Sequence, residues 1–369
     1  MIRNSRILML VMLLVISACS SDNGDTVEPG TDSFDRGAML ANWADNIIVP
    51  AFTSFTASTQ DLEDKTAAFV ASPSEANLTA LRGSFETAYL GFQTVSMFEI
   101  GKAEEINYRN YLNTYPPATN SIEDKINSGS FNLALPSTYN QQGFPALDYL
   151  INGVAENDAA TVALYSSEKY KNYLLSVAER INALTKDVNA AWQGTYRDTF
   201  VNNTSSSSTG SVDRFTNDFV MYYERFLRSG KIGFPAGAFT GEPSPGNVEA
   251  LYSDDLSKKL YLKALESVKD FYNGKHFAGS QAGPSYKQYL DKLAFTKSGE
   301  KLSDLINKQF NAIQSQAANL NSNLKTQIES DNEKMLLAFD ELQKLVVLFK
   351  VDMLQALSIS VDYVDSDGD

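Results

Sequence analysis

Apolar side chains recur at every third or fourth position along most of the chain after residue 33. The pattern is most regular between Ser166 and Val201, where the large apolar residues share one face of a helix. Such a face is normally buried in a helical bundle, so its aromatic residues are expected to form a core and not a cofactor site. The face consists of Tyr170, Leu174, Val177, Ile181, Leu184, Val188 and Trp192.

The same spacing predicts helices over most of the remaining chain. An apolar stripe covers residues 41–69, and Ser74 followed by Glu75 begins a second helix that continues to Phe98. A last helix, apolar on most sides, is expected to be central in a bundle. The pattern therefore predicts an all-α protein, with later helices at 212–227, 253–272, 285–294, 298–325 and 332–361.

Residues 101–140 interrupt the helical pattern and are predicted to be a long irregular excursion. They contain Pro116-Pro117, several Asn and Ser residues, and the tyrosines Tyr108, Tyr111 and Tyr115. A long ordered excursion inside a compact domain is usually functional. Phenolate oxygens can ligate ferric iron, but tyrosines in such segments are more often packing groups that keep their hydroxyls near water.

A low-complexity stretch marks the expected boundary between two domains. Residues 204–210 contain a run of serines and end in glycine, which is typical of a linker. We therefore predict an N-terminal helical bundle at 34–203, which includes the excursion, and a C-terminal helical bundle at 211–369.

The first 18 residues are predicted to be a signal peptide. Arg3 and Arg6 precede an apolar run that is too short to span a membrane. Small residues then precede Cys19, as in a bacterial lipobox, so Cys19 is expected to be the lipidated first residue of the mature protein. Residues 19–33 are polar and lack periodicity, which predicts a flexible tether.

The expected location follows from the lipid anchor. Ser20 and Ser21 after the cysteine favour sorting to the outer membrane, with either the periplasmic or the surface-exposed face as the location. The membrane, reached through Cys19, is therefore a predicted partner.

The charge of the chain excludes one class of partner. It has 31 Lys and Arg against 45 Asp and Glu, a net charge of −14. A surface of this sign repels phosphate backbones, so nucleic acid is not an expected partner. It suits a soluble envelope protein or one that gathers cations.

Cysteine and histidine chemistry is scarce. Cys19 is the only cysteine, so the lipidated chain can have no disulfide, thiolate metal site or cysteine nucleophile. His276 is the only histidine, and it cannot form a multi-histidine metal site.

Two short segments are the candidates for a ligand site. In Gln142-Gly143-Phe144-Pro145-Ala146-Leu147-Asp148, a Gly/Pro turn leads into an apolar helix that carries one carboxylate. Asp148 is expected near the positive end of that helix, where it would stay ionised and could accept hydrogen bonds or bind a hard cation. The alternative is an ordinary acidic residue near a helix start.

The second segment is Gly230-Lys231-Ile232-Gly233-Phe234-Pro235-Ala236-Gly237. Its glycines and proline require a specific backbone path, in which N–H groups could face a ligand. The alternative is a loop that simply ends a helix.

These features together resemble the imelysin-like family of bacterial envelope proteins. The resemblance rests on the lipobox, the helical body, the segments 142–151 and 231–235, and the closing residues 350–369, and it covers essentially the whole mature domain. It implies two helical-bundle domains packed side by side with a candidate site in the cleft between them. It also implies either metallopeptidase activity or a role in iron regulation or uptake.

The chain departs from the family marker, G-x-H-x-x-E, at two positions. Pro145 replaces the histidine and Asp148 replaces the glutamate. A zinc peptidase normally needs three protein ligands, an activated water and a general base. The loss of the imidazole therefore favours a binding protein with no catalytic residues.

The resulting hypothesis is a non-catalytic envelope lipoprotein that takes part in iron acquisition, together with an envelope transport partner. It would bind iron, an iron complex or another small ligand in the interdomain cleft, with iron as the candidate metal and Asp148 as its ligand. The alternatives are a metallopeptidase of the imelysin type and a structural or interaction lipoprotein. The predicted cleft residues are Gly143, Pro145, Asp148, Lys231, Gly233 and Pro235.

Overall fold

The computed structural model describes residues 33–363, and most of that length is helical. The α-helices are α1 (Arg36–Asn42), α2 (Val49–Ala71), α3 (Glu75–Phe92), α4 (Lys102–Glu105), α5 (Tyr108–Asn113), α6 (Thr119–Ser128), α7 (Gly143–Asp148), α8 (Asp158–Leu164), α9 (Glu168–Gln193), α10 (Thr195–Asn202), α11 (Ser211–Met221), α12 (Phe234–Ala236), α13 (Leu256–Tyr272), α14 (Tyr286–Leu293), α15 (Leu302–Ala318), α16 (Leu324–Asp331), α17 (Glu333–Val347) and α18 (Leu354–Ala356). Wider π-helical turns occur at Trp43–Ile48, Tyr149–Gly153, Tyr222–Gly233 and Leu348–Met353, and 3-10 turns at Pro136–Gln141 and Pro245–Asn247. Strands β1 (Thr296–Lys297) and β2 (Glu300–Lys301) pair antiparallel.

The all-α prediction is confirmed. Helix α2 packs against both α3 and α9, and the apolar face predicted for α9 is buried along most of its length. The predicted start of α3 is also found, because the Ser74 hydroxyl accepts a hydrogen bond from the Asn77 amide at 3.3 Å and caps the helix.

A second group of helices surrounds α17. This helix packs against the π-helical segment Tyr222–Gly233 and against α15. Aromatic rings pack beside this helix: Phe349, just after α17, contacts Phe219 of α11 and Tyr223 at centroid distances of 5.3 Å. Within residues 33–363, no helix is both long and apolar enough to cross a membrane.

The predicted domain linker is a closed loop between α10 and α11. The Ser211 amide donates to the Asn203 carbonyl at 3.1 Å, and the Asn203 side chain donates to the Thr209 carbonyl at 2.7 Å. Residues from Phe34 onward form one compact unit. The division into bundles at 34–203 and 211–369 stays a prediction.

Several predicted boundaries were wrong. The excursion at 101–140 is largely helical, since it contains α4, α5, α6 and part of a 3-10 turn. These helices are too short to produce a recognisable apolar period. The helix expected at 298–325 begins only at Leu302, because β1 and β2 form a hairpin first, and it ends at Ala318.

The N-terminal features predicted from the sequence lie outside the described residues. These are the signal peptide at 1–18, the lipidation site Cys19 and the tether at 19–33, of which only Ser33 is described.

Candidate functional site

The segment Gly143–Asp148 forms helix α7, and each of its six residues is buried. Gly143 begins the helix with φ +75°, and a Cβ atom there would lie 2.3 Å from the Leu112 carbonyl oxygen. Glycine is therefore required by both the backbone conformation and the contact with α5. Pro145 occupies the third position of the helix, where its missing N–H leaves no hydrogen bond unmade.

Asp148 is the last residue of α7 and is only 1% exposed. Its Oδ1 accepts hydrogen bonds from the Ser253 hydroxyl at 2.6 Å and from the Asn152 side chain at 3.0 Å. Its Oδ2 accepts from the Tyr252 amide at 2.9 Å. The carboxylate thus joins α7 to the segment that precedes α13.

The expected position of Asp148 at the positive end of a helix was wrong. The helix begins five residues earlier at Gly143 and continues past Asp148 as the π-helical segment Tyr149–Gly153. Burial raises the pKa of Asp148, although its three hydrogen bonds oppose the shift. Desolvation, and not a helix dipole, therefore dominates the electrostatics of this carboxyl group.

Lys231 is also buried, at 3% exposure, and it lies in the π-helical segment Tyr222–Gly233. Its ammonium group forms an ion pair with Glu249, which is 2% exposed. Burial lowers the pKa of Lys231, and the Glu249 carboxylate opposes that shift. The second oxygen of Glu249 accepts a hydrogen bond from the Asn113 side chain at 2.7 Å.

The two clusters meet at residues 249–253. Glu249 reaches Lys231 and Asn113, whereas Tyr252 and Ser253 reach Asp148. This short segment therefore connects both sequence candidates, although sequence reasoning missed it. The available signal was weak: a single glutamate inside an apolar run that follows a Pro/Gly-rich loop.

Gly233 and Pro235 serve a different contact. A turn was predicted at 230–237, and this was wrong for residues 230–233. The chain stays helical to Gly233, and α12 follows. A Cβ atom at Gly233 would lie 2.8 Å from the rings of Phe239 and Phe339, so the glycine allows close packing. The Pro235 carbonyl accepts a hydrogen bond from the Ser244 amide at 2.8 Å.

A third buried cluster surrounds Arg109, which the sequence did not single out. Its guanidinium lies 3.3 Å from the Asp218 carboxylate, and its backbone amide donates to Glu99 at 3.0 Å. Burial raises the pKa of Glu99 to about 8, although Arg109 opposes the shift.

Two of the tyrosines in residues 101–140 behave as packing groups. The Tyr108 hydroxyl forms a hydrogen bond with the Thr185 hydroxyl at 2.7 Å, and the Tyr111 hydroxyl donates to the Ala134 carbonyl at 2.6 Å.

An open cleft of about 380 Å³ adjoins Asp148, and we call it the acidic cleft. Three of its lining residues, Asn152, Tyr252 and Ser253, are the hydrogen-bond partners of Asp148. Its charged lining comprises one guanidinium and five carboxylates, which attract positive charge into the cleft. These residues are Arg82, Glu86, Glu156, Asp158, Asp254 and Asp255.

The ion pairs around the acidic cleft neutralise only part of this charge. Arg82 pairs with Asp158 at 2.8 Å. Lys259, at the edge, pairs with Glu86 at 2.8 Å and with Asp255 at 2.9 Å. The lining therefore keeps an excess of negative charge.

The donor set at Asp148 does not fit a bare metal ion. Both carboxylate oxygens accept hydrogen bonds from neutral donors. Among residues 33–363, no three His, Cys, Asp or Glu side chains come together in a way that could hold a metal. His276 lies in the loop after α13 and lines a different cavity.

Comparisons with known proteins agree with this architecture. The family model described as Imelysin matches residues 48–349. An imelysin-like protein from Psychrobacter arcticum 273-4 superposes with a TM-score of 0.68 at 17% identity, over 89% of this chain and 97% of that one. A putative iron-regulated protein A precursor from Parabacteroides distasonis ATCC 8503 superposes with a TM-score of 0.72 at 18% identity, over 87% and 94%. No curated protein matches the chain.

Proposed function

The chain belongs to the imelysin family, and we propose that it is a non-catalytic binding protein of the cell envelope whose ligand is a cationic iron complex. The ligand would occupy the acidic cleft. The observation that carries this proposal is that Tyr252 and Ser253, which hold Asp148, also line that cleft. The marker segment of the family thereby acts as the support of a ligand site.

The chemistry at the marker segment supports a non-catalytic role. A metallopeptidase needs an open metal position with an activated water. Here Pro145 stands where the family has histidine, and the carboxylate of Asp148 is enclosed by hydrogen bonds. Neither residue can present a ligand or a general base to a peptide without rearrangement.

The cleft itself supports a small cationic ligand. Its volume of about 380 Å³ lies within the range of roughly 300–1,000 Å³ that is usual for small-molecule sites. Five carboxylates against one guanidinium favour a ligand with positive charge. Because the donors at Asp148 do not fit a bare ion, a preformed iron complex suits the site better than free iron. The superposable protein described as iron-regulated supports iron as the metal.

The location belongs to the same proposal. Lipidation of Cys19 and the tether at 19–33 would hold the helical domain beside the outer membrane, on its periplasmic or surface-exposed face. There the protein would pass its ligand to a transport partner in the envelope. A structural or interaction role remains the alternative, in which Asp148 only holds the fold together.

Calorimetric titration of the mature protein tests the proposal. We expect saturable binding of ferrioxamine B, a cationic ferric complex, and much weaker binding of ferrichrome, a neutral ferric complex. The double substitution Glu156→Gln and Asp254→Asn should lower the affinity for ferrioxamine B by about tenfold, as expected for the loss of two partly solvated charge interactions.

A matched control uses exposed carboxylates that do not line the acidic cleft. Glu179→Gln on α9 with Asp124→Asn on α6 changes the net charge equally and should leave the affinity unchanged. Equal weakening by both pairs would mean that only the overall charge matters. Absence of any binding would overturn the proposal.

A further inference from the structure

A second cavity, of about 500 Å³, lies between α2, α3, α13 and the loop after α13. We call it the α13 cavity. Among the described residues, its lining shares none with the acidic cleft. Its volume is also typical of a small-molecule site, roughly 300–1,000 Å³.

The floor of the α13 cavity is apolar. Phe55 of α2, Phe98 after α3 and Phe271 of α13 are each buried to 1% exposure and line it. Met97 adds a buried thioether, and Phe277 closes the side formed by the loop. An apolar or aromatic ligand body would therefore be desolvated against aromatic rings.

Hydroxyl groups form one polar part of the wall. The side chains of Thr87, Thr94 and Ser267 line the cavity and donate to backbone carbonyl oxygens three or four residues earlier in the chain, at 2.9, 2.7 and 2.8 Å. Because each O–H is already committed to the backbone, only its oxygen lone pairs are left for a ligand. These hydroxyls thus select a ligand that carries N–H or O–H donors.

The charged residues at the α13 cavity neutralise each other. Lys263 pairs with Glu266 at 2.9 Å, and Lys275 pairs with Asp270 at 2.8 Å. Two positive and two negative groups leave no net charge from these pairs. The α13 cavity therefore favours an uncharged ligand, in contrast to the acidic cleft.

The loop that closes the α13 cavity is fastened to the first helices. The Phe277 amide donates to the Asn46 carbonyl at 2.9 Å, and Asn46 belongs to the π-helical segment Trp43–Ile48. The Asn42 side chain donates to the carbonyls of Gly274 and Pro284 at 3.3 and 3.1 Å. The wall is thus formed before a ligand arrives, which reduces the ordering cost of binding.

We propose that the α13 cavity is a second binding site, which takes a small, uncharged, mainly apolar molecule with N–H or O–H donors. The α13 cavity and the acidic cleft differ in lining and in charge, so binding at one does not require binding at the other.

Fluorescence titration of the mature protein tests this site with two probes. Aminoanthracene is neutral, aromatic and carries N–H donors, so we expect saturable binding of one probe per chain with a blue-shifted emission. Anilinonaphthalene sulfonate, an anionic aromatic probe, should bind at least tenfold more weakly. Binding of the sulfonate as tightly as the amine would overturn the inference.

Two substitutions locate the probe. Ser267→Leu fills part of the α13 cavity and should abolish saturable binding. Ser315→Leu is the matched control, because Ser315 makes the same hydrogen bond to the carbonyl four residues earlier but is exposed on α15. Equal effects of the two changes would contradict the assignment.

Thr94→Val keeps the shape of the side chain and removes the accepting oxygen. This substitution should lower the affinity for aminoanthracene by roughly two- to tenfold, as expected for one lost hydrogen bond. An unchanged affinity of this variant for aminoanthracene would contradict the proposal that the hydroxyl oxygens accept hydrogen bonds from the ligand. Circular dichroism of each variant checks that the helices are intact.

Discussion

The Ser253 hydroxyl donates a hydrogen bond to Asp148 at 2.6 Å, although the two residues are 105 positions apart in the chain. Ser253 also lines the acidic cleft. The pair therefore connects the interior of α7 with a surface that a ligand can reach. A substitution of Asp148 should therefore change both the stability of the fold and the shape of the acidic cleft.

Asp148→Ala should destabilise the fold. It removes the hydrogen bonds from the Ser253 hydroxyl, the Asn152 side chain and the Tyr252 amide, and each such bond contributes about 1 kcal/mol to stability. We expect a loss of at least that size in the free energy of unfolding, measured with urea. Asp124→Ala, at an exposed position of α6, should change it by less than about 0.5 kcal/mol.

The same variant separates a binding role from a purely structural one. Because Tyr252 and Ser253 line the acidic cleft, their displacement should also lower the affinity for ferrioxamine B. A destabilised Asp148→Ala protein that binds this complex as well as the wild type would favour the structural alternative.

Lys231→Met should be more damaging than loss of an exposed lysine. It leaves the buried Glu249 carboxylate without its cation, and breaking such a pair costs about 3–5 kcal/mol. Lys259→Met at the edge of the acidic cleft breaks more exposed pairs and should cost no more than about 1 kcal/mol. Denaturant unfolding of both variants measures the difference, and similar losses would contradict the prediction.

Glu99 should make stability depend on pH in the neutral range. Its pKa is about 8 in the folded protein, whereas its ordinary value is 4.5, so the folded state binds a proton that the unfolded state releases. The stability contributed by this proton is complete below pH 4.5 and is lost as the pH rises to about 8. The unfolding free energy of the wild type should therefore fall relative to that of Glu99→Gln across this interval. A difference that stays constant with pH would show that Glu99 is ionised in the fold.

Peptidase activity should be absent. The mature protein incubated with reduced casein and zinc should release no more peptide than the Asp148→Ala variant does, because Pro145 supplies no metal ligand. Gel electrophoresis and a fluorescent peptide assay measure the release. Cleavage that a chelator abolishes in the wild type would instead support the metallopeptidase alternative.

Local sequence signals were sufficient for two features that neighbouring residues decide. The apolar face of α9 and the Ser74 cap of α3 were predictable, because a helix of several turns repeats its burial pattern and a cap depends on residues three positions apart. The same reasoning failed for α4, α5 and α6, which are too short to repeat a pattern.

The candidate site was predictable only in part. Gly143, Pro145, Asp148 and Lys231 were singled out from their spacing and from the family resemblance, but none of them lines the acidic cleft, which Asp148 reaches only through its hydrogen-bond partners. Their partners were missed, since Glu249 meets Asn113 across 136 positions and no local pattern encodes that contact.

Helical class and acidity can both be read from the residues in order, because each depends on composition or on short-range spacing. The lipoprotein-like start also depends on short-range spacing and stays a prediction. The chemistry of Asp148 cannot be read in this way. At a helix start in water it would be an ionised carboxylate available to a cation, whereas packing of residues 249–253 over α7 removes water and adds two hydrogen-bond donors, Tyr252 and Ser253, to the local donor Asn152. Only the tertiary structure decides between these two states, because desolvation and two of the three donors depend on chain segments that are distant in sequence.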